Sequence, residues 1–352
     1  MKKKSNPKPI VEFRRDMVSG EWILISSIRR ARPLFFGKLL SRAKLPKKDC
    51  PFDDPQKSGN PLPILWYPKP LKNKNKSVAV DFKDWFVQII PNKYPVLTRS
   101  AACPEFDRHG PYKWAEGFGS HEVVITRDHN RDFEKMSLDE IALVFKAFQD
   151  RYRLIEKEEC VEYILIFHNR GSLAGASVDH PHSQLVALPI IPPDVSRSIN
   201  GGLNFFEKNK KCVHCVMLDW EKKEKIRIVH ENEHFITLVP YASRVPYEMR
   251  IFPRKHSSDF EEITERETRF LAESLKDSLS RLHKVFKNPA YNFFIHTASA
   301  KIKNVPYYHW HVEILPKTYE WAGLELGTGI DIVSVPPEEA AEKLREAGDA
   351  KK

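Results

Sequence analysis

The chain has 352 residues, 41% of them hydrophobic, and a formal charge of +10 from 57 Lys and Arg against 47 Asp and Glu. That length holds one large domain or two ordinary ones with a sizeable core, and no apolar run approaches the ~20 residues that cross a membrane, so a cytoplasmic protein without a membrane partner is expected. The lysines fall in loops such as Lys69–Lys76 and Lys208–Lys211, with no basic amphipathic helix or RNA-binding aromatic signature. The charge therefore argues for phosphorylated small substrates and against nucleic acid.

In chain order, residues 1–10 form a basic tail. Cys50-Pro-Phe-Asp53 comes next. A strand is expected at His121-Glu-Val-Val-Ile-Thr, ending at a histidine, His129. Ser137-Leu-Asp-Glu140 has the spacing of a capping box and opens an apolar-periodic helix to about Tyr152. The strand Tyr163-Ile-Leu-Ile-Phe-His168 follows, then the loop Asn169-Arg-Gly-Ser-Leu-Ala-Gly175-Ala-Ser177, then the strand His180-Pro-His182-Ser-Gln184-Leu-Val. Residues 191–211, with Asn200-Gly-Gly202, carry turn signals and read as a linker.

Beyond the linker the same order returns. Cys212-Val-His-Cys215 stands where Cys50 to Asp53 stood, and Tyr247-Glu-Met-Arg-Ile-Phe ends at His256. Thr264-Glu-Arg-Glu267 opens a helix to about Val285, and Tyr291-Asn-Phe-Phe-Ile-His296 and His309-Trp-His311-Val-Glu313 close the repeat. Four matched features in one order make a duplicated unit, and strand, strand, helix, strand, loop, strand given twice predicts an α+β fold with antiparallel sheet and helices on one face. The expected division is 1–190, a linker 191–211, a second half 212–337 and a tail 338–352. Cys212 and Cys215 have metal-ligand spacing, whereas Cys103 and Cys160 have no close partner and read as free thiols.

Because strand residues alternate faces, His180, His182 and Gln184 project together. A neutral imidazole can attack phosphorus and form a phosphoramidate, splitting one phosphoryl displacement into two. A metal cluster uses the same spacing; the donor-rich loop before it, whose small residues let a phosphate approach the backbone, turns the reading toward phosphate chemistry.

Asn169-x-Gly171-x-x-x-Gly175-x-Ser177 leading into His180-Pro-His182-Ser-Gln184 resembles the active-site segment of galactose-1-phosphate uridylyltransferases, a duplicated branch of the histidine-triad superfamily, and the resemblance extends from about Phe13 to Pro337. It implies two tandem histidine-triad-like halves. It makes His182 the nucleophile carrying a covalent nucleotidyl group, with Gln184 on the phosphoryl oxygens and Ser177, Asn169 and Gly175 around the phosphate. Arg14 to Trp22 and Ser27-Ile-Arg29-Arg-Ala-Arg32-Pro33 match the family's N-terminal pattern, which puts Arg29 and Arg32 near the nucleotide; Asn92 falls beside the ribose, and Glu325 falls where the hexose is contacted.

The resemblance further implies a homodimer and zinc, held by Cys50, Asp53, His129 and His180 in the first half and by Cys212, Cys215, His256 and His309 in the second, with Asp53 replacing the expected cysteine. Iron, which some relatives bind with a Glu and three histidines, is the weaker expectation because no acidic residue follows His182 at the matching distance. The implied activity is UDP-glucose–hexose-1-phosphate (galactose-1-phosphate) uridylyl transfer by a ping-pong route, so nucleotide sugar and sugar 1-phosphate are the expected partners. Lys93 stands where these enzymes often carry an acidic residue, and Asp331 where they often carry Gln. The alternatives are an ADP-sugar phosphorylase with phosphate as acceptor, a histidine-triad hydrolase, and an inactive zinc-stabilised nucleotide- or RNA-binding module.

Overall fold

The computed structural model describes residues 9–31, 46–70, 81–99, 103 and 105–349. Arg32 lies outside them. The first half comprises β1 (Val11–Arg15), β2 (Trp22–Ser26), β3 (Leu65–Pro68), β4 (Trp85–Pro91), the hairpin β5 (Asp107–His109) and β6 (Tyr112–Trp114), β7 (Ser120–Thr126), α1 (Leu138–Ile155), β8 (Tyr163–Arg170) and β9 (His182–Leu188). Next come α2 (Pro193–Asn209), α3 (Val213–Glu224), β10 (Ile228–Glu231), β11 (Phe235–Leu238), β12 (Met249–Pro253), α4 (Glu265–Phe286), β13 (Tyr291–His296) and β14 (His311–Pro316). The chain closes with α5 (Gly323–Thr328), β15 (Ile332–Val333) and α6 (Pro337–Asp349).

The two halves share one ten-stranded sheet in the order β10-β11-β12-β14-β13-β8-β9-β7-β4-β3. Its centre is the antiparallel pair β8 and β13, in register with Phe167 opposite Phe294 and Asn169 opposite Asn292. The expected α+β class is what the fold shows. Both capping boxes form: the Ser137 and Thr264 hydroxyls accept from Glu140 N and Glu267 N, and the two glutamates return bonds to the cap amides. Helices α1 and α4 pack against each other over one face of the sheet. Ile141, Val144, Phe145, Phe148, Tyr152 and Ile155 of α1 recur at helical spacing and are buried with Leu271, Leu275, Leu279 and Trp310. Each such side chain contributes about 1.5–3 kcal/mol through burial.

Leu185 and Ala187 of β9 enter that core. By strand alternation His182, Gln184 and Val186 face away from the helices, so the packing that buries one face of β9 presents the other for chemistry.

Several sequence expectations change. The segment read as a linker is largely α2, and Gly201 and Gly202 sit inside it rather than in a turn: a Cβ there would fall 1.7 Å from Val18 O and 2.5 Å from Tyr307 O. The glycines serve close helix-to-backbone approach. Residues 11–26, placed in the first half by sequence, pair with β15 in a separate three-stranded sheet. Ile23 and Ile25 pack there with Ala242 and Val333 of the second half. The expected tail is mostly α6, whose Ala340, Ala341 and Leu344 are fully buried. Cys103 and Cys160, read as free thiols, form a disulfide, their Cα atoms brought to 5.4 Å across 57 residues of sequence by the fold. No described helix is long and apolar enough to cross a membrane.

Candidate active site

His182 opens β9 and is 7% exposed. Its Nδ1 lies 2.9 Å from His180 O, so Nδ1 carries the hydrogen and donates it to that carbonyl. Nε2 then keeps its lone pair. Burial lowers the His182 pKa, which favours the neutral, nucleophilic ring near pH 7. The Phe52 ring is edge-on to the imidazole with centroids 5.0 Å apart, and Phe52 belongs to an apolar cluster with Trp85, Ile90, Val123 and Ile125.

The expected loop folds as a 3-10 turn, Ser172–Ala174, between Gly171 and Gly175, whose φ values of 80° and 82° suit glycine. Gly175 and Ser177 are exposed, and Asn169 is half-buried at the end of β8. Asn169 Oδ1 accepts a 2.7 Å bond from Asn292 Nδ2, which also donates to Ala174 O at 2.8 Å. Asn292 comes from the second half and was not among the sequence candidates. Its place directly after Tyr291, in register with the repeat, is the signal that could have found it.

Gln184 is half-buried on the same face, and its Oε1 lies 2.7 Å from His121 Nε2. Asn92 is tied into the same group: its backbone N donates to His121 O at 2.9 Å, and its Oδ1 accepts from Tyr94 N at 2.9 Å. Arg29 and Glu325 are placed elsewhere. Arg29 lies on the 3-10 turn Ser27–Ala31 beside the small sheet, and Glu325 Oε2 accepts the Ala322 N–H at the start of α5.

Both four-residue metal sets are assembled. The ligand atoms of Cys50, Asp53, His129 and His180 lie within 4.8 Å of one another, as do those of Cys212, Cys215, His256 and His309. In the first, His180 Nε2 donates to Thr126 O at 2.6 Å, which points Nδ1 at Cys50 Sγ, 3.5 Å away. The second repeats this: His309 Nε2 donates to Pro253 O at 3.0 Å and His256 Nε2 to Val305 O at 3.1 Å, turning both Nδ1 atoms toward Cys215 Sγ at 3.6 and 3.4 Å. Carbonyl-anchored imidazoles around two thiols fit a tetrahedral zinc. Asp53 Oδ2, 2.5 Å from His129 Nδ1, occupies the position of the missing thiol.

The second half has its own copy of the His182 arrangement, with a different outcome. His311 Nδ1 lies 3.2 Å from His309 O, as His182 does from His180, but Glu313 stands in place of Gln184. Glu313 is bonded to Arg244, and Arg250 Nε lies 3.5 Å from it. These cations hold Glu313 well below the usual carboxylate range, against the cost of burial. His296, His311 and Glu313 also cluster within 4.8 Å, beside a cavity of about 80 Å³. The second half thus carries an arginine-paired carboxylate where the first half has the Gln184 amide.

Residues 5–192 match the family profile described as galactose-1-phosphate uridyl transferase, N-terminal domain, and residues 203–327 match the corresponding C-terminal domain. An ADP-glucose phosphorylase of Arabidopsis thaliana is 32% identical over 340 residues, 95% of this chain and 92% of its own length. A galactose-1-phosphate uridylyltransferase of Thermotoga maritima is 31% identical over 346 residues, covering 96% and 98%. The crystal structure of an Arabidopsis ADP-glucose phosphorylase with bound ADP-glucose resembles this fold with a TM-score of 0.78 at 31% identity, covering 96% of this chain and 99% of that one.

Proposed function

The chain belongs to the galactose-1-phosphate uridyl transferase family, and on that premise we propose that it moves a nucleotidyl group from a nucleoside diphosphate hexose to a phosphate acceptor by way of His182. The observation that carries this is the His182 ring, its Nδ1 hydrogen committed to His180 O and its Nε2 lone pair left for attack. Nε2 bonds to the α-phosphorus as the bond from that phosphorus to the bridging oxygen breaks, and hexose 1-phosphate leaves. An oxygen of the acceptor phosphate then takes the phosphorus, the P–N bond breaks, and His182 returns neutral. Gln184, the Gly171–Ser177 loop and Asn169 supply donors to the phosphoryl oxygens during both displacements.

Two donor–acceptor pairs are put forward. UDP-glucose with galactose 1-phosphate is the pair implied by the resemblance. ADP-glucose with inorganic phosphate is favoured by Lys93 and Asp331, which depart from the uridylyltransferase pattern, and by the ADP-glucose phosphorylase of similar identity. The test is intact-protein mass after mixing with each donor separately and no acceptor. A gain of one uridylyl or adenylyl group on the wild-type chain, absent in His182→Ala, supports the reading and names the base; galactose 1-phosphate or phosphate then discharges it. Nucleoside monophosphate released with no acceptor would make the protein a hydrolase, and binding without any adduct would make it a binding module.

We read both four-residue sets as zinc centres, where the ion would hold β9 and α3 in place and take no part in the displacement. We also propose a homodimer, supported by Phe13 and Trp22, 58% and 50% exposed on the small sheet. The proposal keeps the cytoplasmic setting, although a Cys103–Cys160 bond is commoner in oxidising compartments.

A further inference from the structure

We propose that His121 is a positioning residue that sets the direction of the Gln184 amide, so that its NH₂ group and not its carbonyl meets the phosphoryl group. This rests on the reading of His182 as nucleotidyl carrier and deepens it. His121 is 9% exposed on β7, the strand beside β9. Gln184 pairs with Val123, so His121 reaches it diagonally across the sheet face opposite the helices.

The Val96 amide selects the arrangement of hydrogen bonds around the ring. The backbone N–H of Val96 points at His121 Nδ1, 3.2 Å away, and a backbone amide can only donate. Nδ1 is therefore the acceptor, and in the neutral ring Nε2 carries the hydrogen. Asn92 Nδ2 lies over the ring edge, 3.4 Å from Nδ1 and 3.1 Å from Nε2, and its Oδ1 is taken by the Tyr94 N–H, so Asn92 brings no acceptor to the ring. Among the described residues, the acceptor bonded at Nε2 is Gln184 Oε1, at 2.7 Å. With its carbonyl oxygen held there, the Gln184 amide turns its two N–H donors the other way.

The opposite arrangement would be costly. Were Nδ1 protonated, it would face the Val96 N–H donor to donor, and Nε2 would call for a hydrogen from Gln184. The amide would then flip and present its carbonyl oxygen to an anionic phosphoryl group. The segment around Val96 thus acts through His121: Thr98 is bridged to Phe118, and Gly119 N donates to Thr98 O at 3.0 Å, which docks this strap on the start of β7. The second half has no counterpart, because Glu313, unlike an amide, has no flip to resolve.

The experiment measures the rate of adduct formation on His182 in single turnover with whichever of UDP-glucose and ADP-glucose labels the wild-type chain. The variants are His121→Phe, His121→Gln, Gln184→Ala and the double His121→Phe/Gln184→Ala, with thermal midpoints taken in parallel. His121→Phe is expected to slow labelling about 10- to 100-fold, the range typical when a group that orients an active-site residue is lost. His121→Gln, which keeps a donor for Gln184 Oε1, should recover most of that rate even if it is the less stable of the two. The double variant should be no slower than Gln184→Ala alone, since without the amide there is nothing left to orient. Losses that add in the double variant, or rates that follow the thermal midpoints with Phe better than Gln, overturn the inference while leaving the adduct reading intact. A wild-type chain that takes no label from either donor removes the reading, and this inference with it.

Discussion

Asn292 of β13 donates to Asn169 Oδ1 at 2.7 Å and to Ala174 O at 2.8 Å with one amide nitrogen, so the second half of the chain holds the Gly171–Ser177 loop of the first. That bond fixes which end of the Asn169 amide is the oxygen, and its NH₂ group faces Gly175, 3.9 Å from where a Cβ would sit. Asn292→Ala should slow adduct formation on His182 by about 10-fold and cost about 1–3 kcal/mol for the polar groups left unpaired. Asn292→Asp should be worse than Ala, because a carboxylate would oppose both Asn169 Oδ1 and Ala174 O. Single-turnover labelling and urea unfolding of the two variants check this; an Asp variant as fast as wild type refutes the clamp.

The paired metal sets make a prediction about stoichiometry. Elemental analysis of the purified chain should find two zinc ions per chain, one after Cys215→Ser and one after Asp53→Ala. A first-half ion would brace His180, whose carbonyl orients His182, so its loss should slow labelling more than loss of the second. Each loss should lower the thermal midpoint by roughly 5–10 °C, as expected when several kcal/mol of metal binding are coupled to folding. Two ions retained in Asp53→Ala would show that the carboxylate is no ligand.

What could be read in the sequence was whatever repeats at short range. The capping boxes at Ser137 and Thr264, the alternation that puts His182 and Gln184 on one face, and the close Cys212 and Cys215 pair are local patterns, whereas the four-residue metal sets came from the family resemblance and are gathered from distant segments. What was not legible depends on contacts between distant segments. Gly201 and Gly202 look like turn residues until Val18 and Tyr307 are seen against the helix that contains them. Cys103 and Cys160 look unpaired until the fold closes the 57 residues between them. His121 looks like one more strand residue; only its neighbours Val96 and Gln184 give the ring a direction.

His168 gives a pH prediction. It is 1% exposed, its ring lies parallel to Phe293 with centroids 5.1 Å apart, and burial pushes its pKa down to about 3. The folded value lies below the unfolded one of about 6.5, so the unfolded chain binds the extra proton between them. Stability is then complete above pH 6.5 and is lost as pH falls from 6.5 toward 3, by at most about 1.4 kcal/mol per pH unit. His182 and His311, also lowered by burial, contribute with the same sign, so the test is a difference: urea unfolding of wild type and His168→Phe from pH 7.5 to 5. Phe cannot titrate, and its unfolding free energy should fall less steeply with acid. Parallel pH profiles would mean that His168 takes up its proton without unfolding.

The last helix gives a prediction about the C-terminal segment. Glu338 at the start of α6 accepts from Arg14 at 2.9 Å and from Arg227 at 2.8 Å, and both arginines are under 10% exposed. One carboxylate thus serves cations from the first strand and the second half, while Ala340, Ala341 and Leu344 seal the core beside α4. Removing one partner of a buried ion group leaves the others as uncompensated charge, which costs more than the pairing itself contributes. Because Glu338 is itself 30% exposed, Glu338→Ala should cost about 1–3 kcal/mol, below the range for fully buried pairs. Ending the chain after Val335 should cost more, since it also uncovers the apolar surface under α6. The labelling rate on His182 at low temperature is the control: a truncated chain that is much less stable yet labels at near the wild-type rate assigns α6 to stability alone, whereas equal thermal midpoints would show that the Arg14–Glu338–Arg227 group carries no net weight.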